Sequence, residues 1–342
     1  MPGSPRISVI LLAYRRKKYL KGGVASALNQ TLPRDRFEIL VYKDFEDPEI
    51  DPYLAANGIR VFTSPPGSPP RTLRTVLEDA QGEILSFLDD DDLFTPDKLA
   101  FVDRVFAEDP TLGYFHNGFL VVEEDGKPFD RSPFPQVGER VHIPAGDSRT
   151  RRIPPNALRL GYNTSSVSIR RGWVTPFLPS FEPREAELSD VMFLACALVS
   201  GCGILADPTK LTHYRYHDSW SNILHYTFDS IGPIVEFDTV NIAALNLIDK
   251  LAAGTTVAPL VADDLAYVRF HRSLFVDRAD WSPRLPDFVR FFFHGLSRRD
   301  FAAVYLIPLH VLSRISPYGA RSAYFRLAGR YRAHAFRPGD RN

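Results

Sequence analysis

Residues 89–92 are four consecutive aspartates, and they follow directly after the apolar run 84–88. This run, which Gly82 precedes, predicts a buried parallel strand. Carboxylates so close together repel one another, and hard oxygen ligands on one short turn suit Mg²⁺ or Mn²⁺. The alternative is a solvated acidic turn that caps the next helix, because Thr-Pro-Asp at 95–97 is a typical helix start. The position directly after a buried strand favours the metal site.

The elements around this turn alternate between strand and helix. Apolar runs and helical spacing predict three strands and three helices, in order at 7–12, 19–30, 37–42, 59–62, 73–80 and 96–107. This alternation predicts a doubly wound, largely parallel sheet, in which ligands bind at the carboxyl ends of the strands. The first loop, residues 13–18, lacks the Gly-x-Gly-x-x-Gly pattern, which argues against a dinucleotide fold of the dehydrogenase kind.

The pattern changes after the third helix. Residues 128–155 are rich in Pro, Arg and Gly with little periodicity, which predicts a long functional loop or a lid. Further strands are predicted at 112–122, 164–169, 203–206 and 211–216, and further helices at 183–199, 235–253 and 258–276.

The charge of the chain is unevenly distributed. The 342 residues have 44% apolar and 24% charged composition and zero formal net charge, which indicates a globular protein with one large domain plus additions, or two domains. Residues 284–342 contain eleven arginines and three acidic residues, a net charge of +8, so residues 1–283 carry −8. An arginine-rich tail on an acidic body indicates that the tail meets phosphates, in nucleic acid or in an anionic membrane.

The cysteine content and the apolar segments bear on the compartment. Cys196 and Cys202 lie in an apolar neighbourhood, which predicts a core pair of thiols in a reducing compartment. The N-terminus has no secretory signal pattern, and no stretch reaches 18 apolar residues, so no ordinary membrane-spanning helix is expected. The aromatic runs 288–293 and 301–312, which arginines flank, predict helices lying in a membrane interface. The alternative is a helical subdomain that packs on the catalytic domain or on a dimer partner.

Five segments resemble the motifs of the family 2 glycosyltransferases, which have the GT-A fold. They are Ile-Ser-Val-Ile-Leu-Leu-Ala-Tyr at 7–14, Ala-Leu-Asn-Gln-Thr at 27–31, Ala-Gln-Gly-Glu and the acidic turn within 80–92, Glu-Leu-Ser-Asp at 187–190, and Tyr-Arg-Tyr-His-Asp-Ser-Trp-Ser at 214–221. The resemblance covers roughly residues 6–225. It implies an α/β fold with a doubly wound, mixed and mostly parallel sheet. The composition of the residues beyond it predicts a C-terminal helical extension, which is associated with a membrane or packed on protein. The implied domains are a catalytic domain at 1–225, with a nucleotide-binding half at 1–110 and an acceptor half at 111–225, and the extension at 226–342.

The resemblance implies a metal-dependent, inverting transfer of a sugar from a nucleotide-diphosphate sugar to a hydroxyl acceptor. Asp91, assisted by Asp89, would hold Mn²⁺ or Mg²⁺ and neutralise the leaving diphosphate. Asp89 could alternatively bond the ribose. Asp190 would be the general base, with Glu187 three residues earlier as a second candidate and Glu185 as a weaker one. Asp90 and Asp92 are assigned structural roles.

Further residues are assigned to the donor by the same resemblance. Tyr14 would pack on the base and Asp44 would bond the base or the ribose. Arg74 and Ser221 would contact phosphates, and His217 would ligate the metal or contact a phosphate. Ser165 and Ser166 would bond donor sugar hydroxyls, and Arg215 is a further candidate phosphate contact.

The chain departs from the family pattern after its second strand. The family usually has two acids there, and this chain has Lys43 and Asp44, so GDP-mannose competes with a UDP-hexose as the donor. The Gln-x-x-Arg-Trp motif of processive members is not found. A sugar-nucleotide pyrophosphorylase remains an alternative, although its first loop should be glycine-rich, as does a non-catalytic adaptor that uses the arginine tail. The expected location is the cytoplasm, at the inner face of the cell membrane, with a lipid-linked acceptor and without nucleic acid.

Overall fold

The computed structural model describes residues 4–14, 16–65, 73–129, 134, 136–154, 157–180, 189–217, 228–276, 288–289, 291–293 and 301–335. Contacts between residues divide the chain into two units. The first comprises Met1–Arg152 and Leu158–Tyr216, and the second comprises Ile153–Ala157 and His217–Asn342.

The first unit is built on one mixed sheet. Its described strands are β1 (Ile7–Ala13), β2 (Phe37–Lys43), β3 (Arg60–Thr63), β4 (Ile84–Asp89), β5 (Leu93–Phe94), β6 (Leu112–Val122), β7 (Val141–Ile143), β8 (Val167–Arg170) and β9 (Gly203–Arg215). Their order is β3-β2-β1-β4-β8-β6-β9-β5, and β7 pairs with β9. The pairs among β3, β2, β1 and β4 are parallel, as is β6 with β9, whereas β8, β5 and β7 pair antiparallel.

Helices of the first unit are α1 (Leu20–Leu28), α2 (Ile50–Ala56), α3 (Leu73–Asp79), α4 (Lys98–Glu108), α5 (Arg171–Val174) and α6 (Ser189–Ser200). Strands β1 and β4 are almost wholly buried, as their continuous apolar runs predict for parallel strands covered on both faces. In α4, Leu99, Val102, Val105 and Phe106 are buried at helical spacing and join the same hydrophobic core. The predicted α/β architecture is confirmed.

Two glycines allow the backbone to pack closely around the acidic turn. A Cβ on Gly82, at the entrance to β4, would lie 2.6 Å from the backbone nitrogen of Ser8, so a larger residue would push β4 away from β1. A Cβ on Gly23 in α1 would lie 3.4 Å from the carbonyl oxygen of Asp90 and 3.5 Å from that of Asp92. Helix α1 therefore supports the acidic turn from directly beside it.

The predicted break between two strands at 203–206 and 211–216 is wrong. A single 13-residue strand, β9, runs through Asp207 and Pro208. Its pairing with β6 shifts register on both sides of Gly118, and the space a Cβ on Gly118 would need is taken by the Pro208 carbonyl oxygen, 2.4 Å away. The irregularity absorbs the proline, so the strand continues.

Four short elements were not predicted, namely α2, β5, β7 and α5. Strand β7 lies within residues 128–155, which the sequence indicated as a loop. Helix α6 is described from Ser189, and residues 181–188, where the prediction began it, lie outside the described part of the chain.

The second unit is helical where the structure describes it. Its helices are α7 (Ile231–Ala252), α8 (Ala258–Ser273), α9 (Phe301–Ser313) and α10 (Pro317–Ala335). Phe270, Phe275, Phe291 and Leu306 are among the buried residues of its own hydrophobic cluster. The first two helices agree with the predicted helical spans.

The stretch Phe228–Ala252 has the length and composition of a membrane-spanning helix, with 25 residues and a mean hydropathy of 1.3 in its most apolar part. The sequence prediction of no such helix is corrected here, because mean hydropathy tolerates the polar residues that interrupt each apolar run. This is weak evidence for a span, since the core helix of a soluble protein has the same properties and 33% of the apolar window is buried inside the protein.

Candidate active site

The acidic turn lies at the carboxyl end of β4, on the edge of the sheet where doubly wound folds bind ligands. Asp89, Asp91 and Asp92 each offer a carboxylate oxygen, and these atoms all lie within 4.8 Å of one another. The Oδ2 atom of Asp92 is buried without a hydrogen-bond partner in the described part of the chain. A divalent cation with oxygen ligands fits this set of donors, because it would satisfy the orphaned oxygen and offset the repulsion.

The carboxylates of the turn are difficult to ionise together. Burial, and then the charge of Asp91, raises the pKa of Asp90 to about 7. The same two causes, in the same order, raise the pKa values of Asp89 and Asp92 well above the ordinary range. The turn therefore favours either protons or a bound positive charge.

Arg16, in the loop after β1, supplies one such charge. Its Nη2 donates to Asp90 Oδ1 at 2.9 Å, and its Nη1 lies 2.6 Å from Asp91 Oδ2. The arginine side chain is 35% exposed, whereas that of Asp90 is 2% exposed. One guanidinium thus spans two neighbouring carboxylates from the solvent side.

Arg215 of β9 and Ser165 of a nearby turn hold the acidic residues in place. Asp92 Oδ1 accepts the backbone N–H of Arg215 at 2.8 Å, and Arg215 Nε donates to the carbonyl of Asp91 at 2.8 Å. The Oγ of Ser165 accepts the backbone N–H of Asp89 at 3.0 Å. Ser165 and Ser166 are fully buried. Arg215 and Ser165 thus hydrogen-bond to Asp89, Asp91 and Asp92 of the acidic turn.

Lys98 lies behind the turn and was missed by the sequence analysis. It is fully buried and donates to Asn117 Oδ1 and to the carbonyl of Ser165, the latter at 3.1 Å. Burial lowers the pKa of Lys98 well below its usual range, while the charge of Asp92 opposes that shift. A sequence signal existed, because Lys98 occupies the apolar stripe of α4 four residues before Val102.

Asp190, the candidate base, lies in the first turn of α6. Backbone N–H groups of Val191, at 2.8 Å, and of Asn163 donate to its carboxylate. Burial nevertheless raises the pKa of Asp190. After burial and the charges of Asp91 and Asp90, the charge of Asp190 also raises the pKa of Asp89, so the carboxylates of Asp190 and Asp89 interact electrostatically.

Asn163 has a backbone conformation that the sequence analysis did not anticipate. Its φ of 81° is the one positive value among the described non-glycine residues. Its side-chain oxygen accepts the backbone N–H of Ser165 at 2.8 Å, which stabilises the turn locally. A strained residue that contacts a candidate catalytic group is typical of an active site.

Aromatic side chains border the same site. The hydroxyls of Tyr162 and Tyr214 lie 3.5 Å apart, and Phe134 stacks on Tyr162 with ring centroids 5.3 Å apart. Burial raises the pKa of Tyr162, and the charges of Asp190 and Asp92 add to the shift. These rings line the side of the site next to Asp190.

The end of β2, where the sequence departs from the family pattern, is buried. Lys43 is 1% exposed, and its Nζ lies 3.0 Å from Asp51 Oδ1 and donates to the Phe45 carbonyl. Asp44 is 3% exposed and Tyr14 is partly buried. The ammonium group of Lys43 is thus paired with Asp51 and with the Phe45 carbonyl.

For the remaining predicted site residues, a place at this turn stays a prediction. His217 falls in the second unit by its contacts. Glu185, Glu187 and Ser221 lie outside the described residues, as does the side chain of Arg74, whose backbone belongs to α3.

Comparisons with known proteins agree with this geometry. Residues 8–155 match the family model described as glycosyl transferase family 2. An uncharacterized glycosyltransferase of Rickettsia bellii is 27% identical over 126 residues, which are 36% of this chain and 18% of the relative. One of Haemophilus influenzae is 34% identical over 102 residues, 28% of this chain and 40% of the relative. The chain thus spans less than half the length of these curated relatives.

Solved structures agree over a larger part of the chain. S. aureus TarS 1-349 in complex with UDP has a TM-score of 0.55 at 17% identity, covering 96% of this chain and 92% of that one. The mannosyltransferase PcManGT from Pyrobaculum calidifontis, in complex with GDP-Man and Mn²⁺, has a TM-score of 0.52 at 15% identity, covering 96% and 87%. At these identities the likeness concerns the fold. Residues 8–155 are thus similar to glycosyl transferase family 2, and the chain has the α/β fold of these two solved structures.

Proposed function

We propose that this protein is a metal-dependent, inverting glycosyltransferase that moves a sugar from a nucleotide-diphosphate sugar to a hydroxyl acceptor. The observation that carries the proposal is the group of three carboxylate oxygens within 4.8 Å at the carboxyl end of β4. The family match supports the class of reaction. The proposed catalytic domain is residues 1–225, with the helical extension at 226–342.

Asp91 and Asp89 are the proposed ligands of Mn²⁺ or Mg²⁺, and His217 is proposed as a further ligand or phosphate contact. When bound, the cation would act as a Lewis acid that neutralises the charge developing on the diphosphate. The buried, unpartnered oxygen of Asp92 supports a cation at this turn.

Asp190 is the proposed general base, with Glu187 as the alternative. The carboxylate of Asp190 takes the proton of the acceptor hydroxyl as that oxygen attacks the anomeric carbon and the bond to the diphosphate breaks. The N–H groups of Asn163 and Val191 orient the carboxylate, while burial raises its pKa and makes it a stronger base than an exposed aspartate. One displacement of this kind inverts the anomeric centre.

The proposed donor is GDP-mannose or a UDP-hexose. Tyr14 and Asp44 are the proposed contacts to the base and ribose, and Arg74 and Ser221 the proposed contacts to the phosphates. Folds similar to this one have been solved with UDP and with GDP-Man, which supports both nucleotides. The Lys43–Asp51 pair favours neither.

The proposed location is the cytoplasmic face of a membrane, with a glycan or lipid-linked acceptor. On the second unit, Ile315 and Tyr318 are 81% and 71% exposed, and Arg314 beside them is also exposed. Apolar side chains next to arginine suit an anionic lipid surface. Flotation of the full chain with anionic liposomes tests this assignment, and protein that stays at the bottom of the gradient with the lipid at the top would contradict it.

Transfer of radiolabel from GDP- and UDP-sugars tests the proposed reaction. We expect donor turnover with Mn²⁺, loss of turnover with EDTA, and recovery when Mn²⁺ is added back in excess. Release of a nucleoside diphosphate identifies a transferase, whereas formation of a nucleoside triphosphate from pyrophosphate would identify a pyrophosphorylase. Turnover that survives complete metal removal would overturn the metal-dependent mechanism.

A further inference from the structure

Arg16 pairs with one of the three aspartates that could hold a cation. Its guanidinium lies 2.6 Å from Asp91 Oδ2 and 2.9 Å from Asp90 Oδ1. Asp91 also belongs to the group of three aspartates whose oxygens could hold a metal ion. The protein itself therefore supplies the positive charge that this acidic turn requires.

Arg16 and a divalent cation compete for the same turn. A cation of this kind needs its carboxylate oxygens at about 2.0–2.6 Å, a position incompatible with a guanidinium on the same oxygen. Two positive charges a few ångströms apart also repel each other strongly in a partly buried site. Binding of a metal by Asp91 thus requires Arg16 to move or to loosen its contact.

Arg16 can move without disturbing the core. Its side chain is 35% exposed, and the loop that carries it continues into the exposed Lys17 and Lys18. The two carboxylates are far less exposed, at 2% for Asp90 and 13% for Asp91. A released guanidinium would remain at the edge of the sheet, and its planar pair of donors matches phosphate oxygens.

We propose that Arg16 is a diphosphate-binding residue that rests on Asp90 and Asp91 in the free protein and transfers to the donor phosphates when a divalent cation takes Asp91. This inference rests on the proposed function. It assigns to one residue two effects of opposite sign, which are weaker binding of the metal alone and tighter binding of the nucleotide diphosphate.

Two binding measurements on the full chain test the inference at fixed ionic strength. Mn²⁺ binding without nucleotide is followed by the electron paramagnetic resonance signal of the free ion, and binding of UDP and GDP at saturating Mn²⁺ is followed by calorimetry. For Arg16→Gln we expect Mn²⁺ to bind roughly tenfold more tightly and the nucleotide roughly tenfold more weakly.

Two further variants serve as controls. Arg16→Lys keeps the charge but loses the planar fork, so Mn²⁺ binding should stay close to that of the wild type while nucleotide binding weakens. Lys21→Gln removes one charge from the exposed face of α1, where Lys21 lies 5.6 Å from the ring centroid of Tyr53, and should alter neither affinity more than about twofold. Thermal melts confirm that each variant is folded.

The outcomes separate the inference from the function on which it rests. If folded Arg16→Gln weakens both ligands, or changes neither, Arg16 is a fixed structural clamp and the inference is wrong. If the wild-type protein binds neither Mn²⁺ nor nucleotide, the proposed function itself fails. A gain for the metal with a loss for the nucleotide supports the inference.

Discussion

Strands β2 and β4, which lie on either side of β1 in the sheet, both end in buried charge, but the charges are balanced differently. At the end of β2, Lys43 and Asp51 form a closed pair, 3.0 Å apart, with the Phe45 carbonyl as a further acceptor. At the end of β4, residues 89–92 present four carboxylates, and the guanidinium of Arg16 pairs with two of them, Asp90 and Asp91. A closed ion pair is typical of a residue pair with a structural role. An excess of negative charge, as at the end of β4, instead indicates a binding site for a positively charged ligand.

The largest expected effect is a difference in activity between substitutions at the end of β4 and at the end of β2. Asp91→Ala should lower kcat by at least about a thousandfold, because the leaving diphosphate loses its electrostatic partner. Asp51→Ala, at the closed pair, should keep most of the activity. Mn²⁺ at a hundred times its dissociation constant should stabilise the wild type and Asp51→Ala by about 2.7 kcal/mol and leave Asp91→Ala unchanged, as thermal melts would record. Equal losses of activity in the two variants would remove the distinction between the strand ends.

A second effect concerns Asp190, which belongs to the open site. Asp190→Asn should lower kcat by about 10²–10⁴-fold while nucleotide binding persists, because proton removal is lost but the donor contacts are not. Burial raises the pKa of Asp190, so the acidic limb of the wild-type kcat/KM profile should lie above the usual range of an aspartate. Transfer that continues at the wild-type rate in Asp190→Asn would exclude this residue as the base.

The same residue predicts a pH dependence of stability. The folded protein holds the Asp190 proton more tightly than the unfolded chain, because burial disfavours the carboxylate. The corresponding stabilisation is present below the unfolded pKa and is lost as the pH rises through the raised folded pKa. Urea titrations of metal-free protein at several pH values measure this effect. As the pH rises, the free energy of unfolding should fall less steeply for Asp190→Asn than for the wild type.

The smallest effect compares the two buried lysines. Lys98→Met should cost about 3 kcal/mol, because it leaves Asn117 Oδ1 without its donor inside the core and removes one of the two donors of the Ser165 carbonyl, which keeps the Thr212 hydroxyl. Lys43→Met should cost only about 1 kcal/mol, since the side chain of Asp51 is 38% exposed and can regain water. Urea denaturation of metal-free protein measures both. Equal costs would mean that exposure of the partner does not decide the penalty.

Much of the fold could be predicted because the signals are local. The apolar runs of β1 and β4 and the stripe of α4 appear in the structure close to the expected bounds. The elements that were missed, α2, β5, β7 and α5, are short, and the continuity of β9 depends on Gly118 of another strand. Whether a proline ends a strand or is accommodated in a bulge depends on the residue opposite it in the neighbouring strand. A local sequence pattern does not contain that information.

The residues of the candidate site likewise fall into those that the sequence predicted and those that only the structure revealed. The acidic turn and Asp190 were predicted from their positions in motifs. The structure gathers carboxylate oxygens of Asp89, Asp91 and Asp92 within 4.8 Å, while the roles of these residues and of Asp190 stay predictions. Lys98, Asn163 and Arg16 were not assigned roles there. Each acquires its role from partners distant in the chain, such as Asn117 for Lys98, Asp190 for Asn163 and Asp91 for Arg16.

By itself the sequence determined the strand–helix alternation, the family resemblance and the presence of an acidic turn after a buried strand. Only the tertiary structure decided which charges that turn meets. The reason is physical: hydrophobic periodicity is encoded within a few residues, whereas burial, pKa and ion pairing depend on the groups that the fold places within a few ångströms. Arg16 lies 74 positions from Asp90 in the chain and 2.9 Å from it in space.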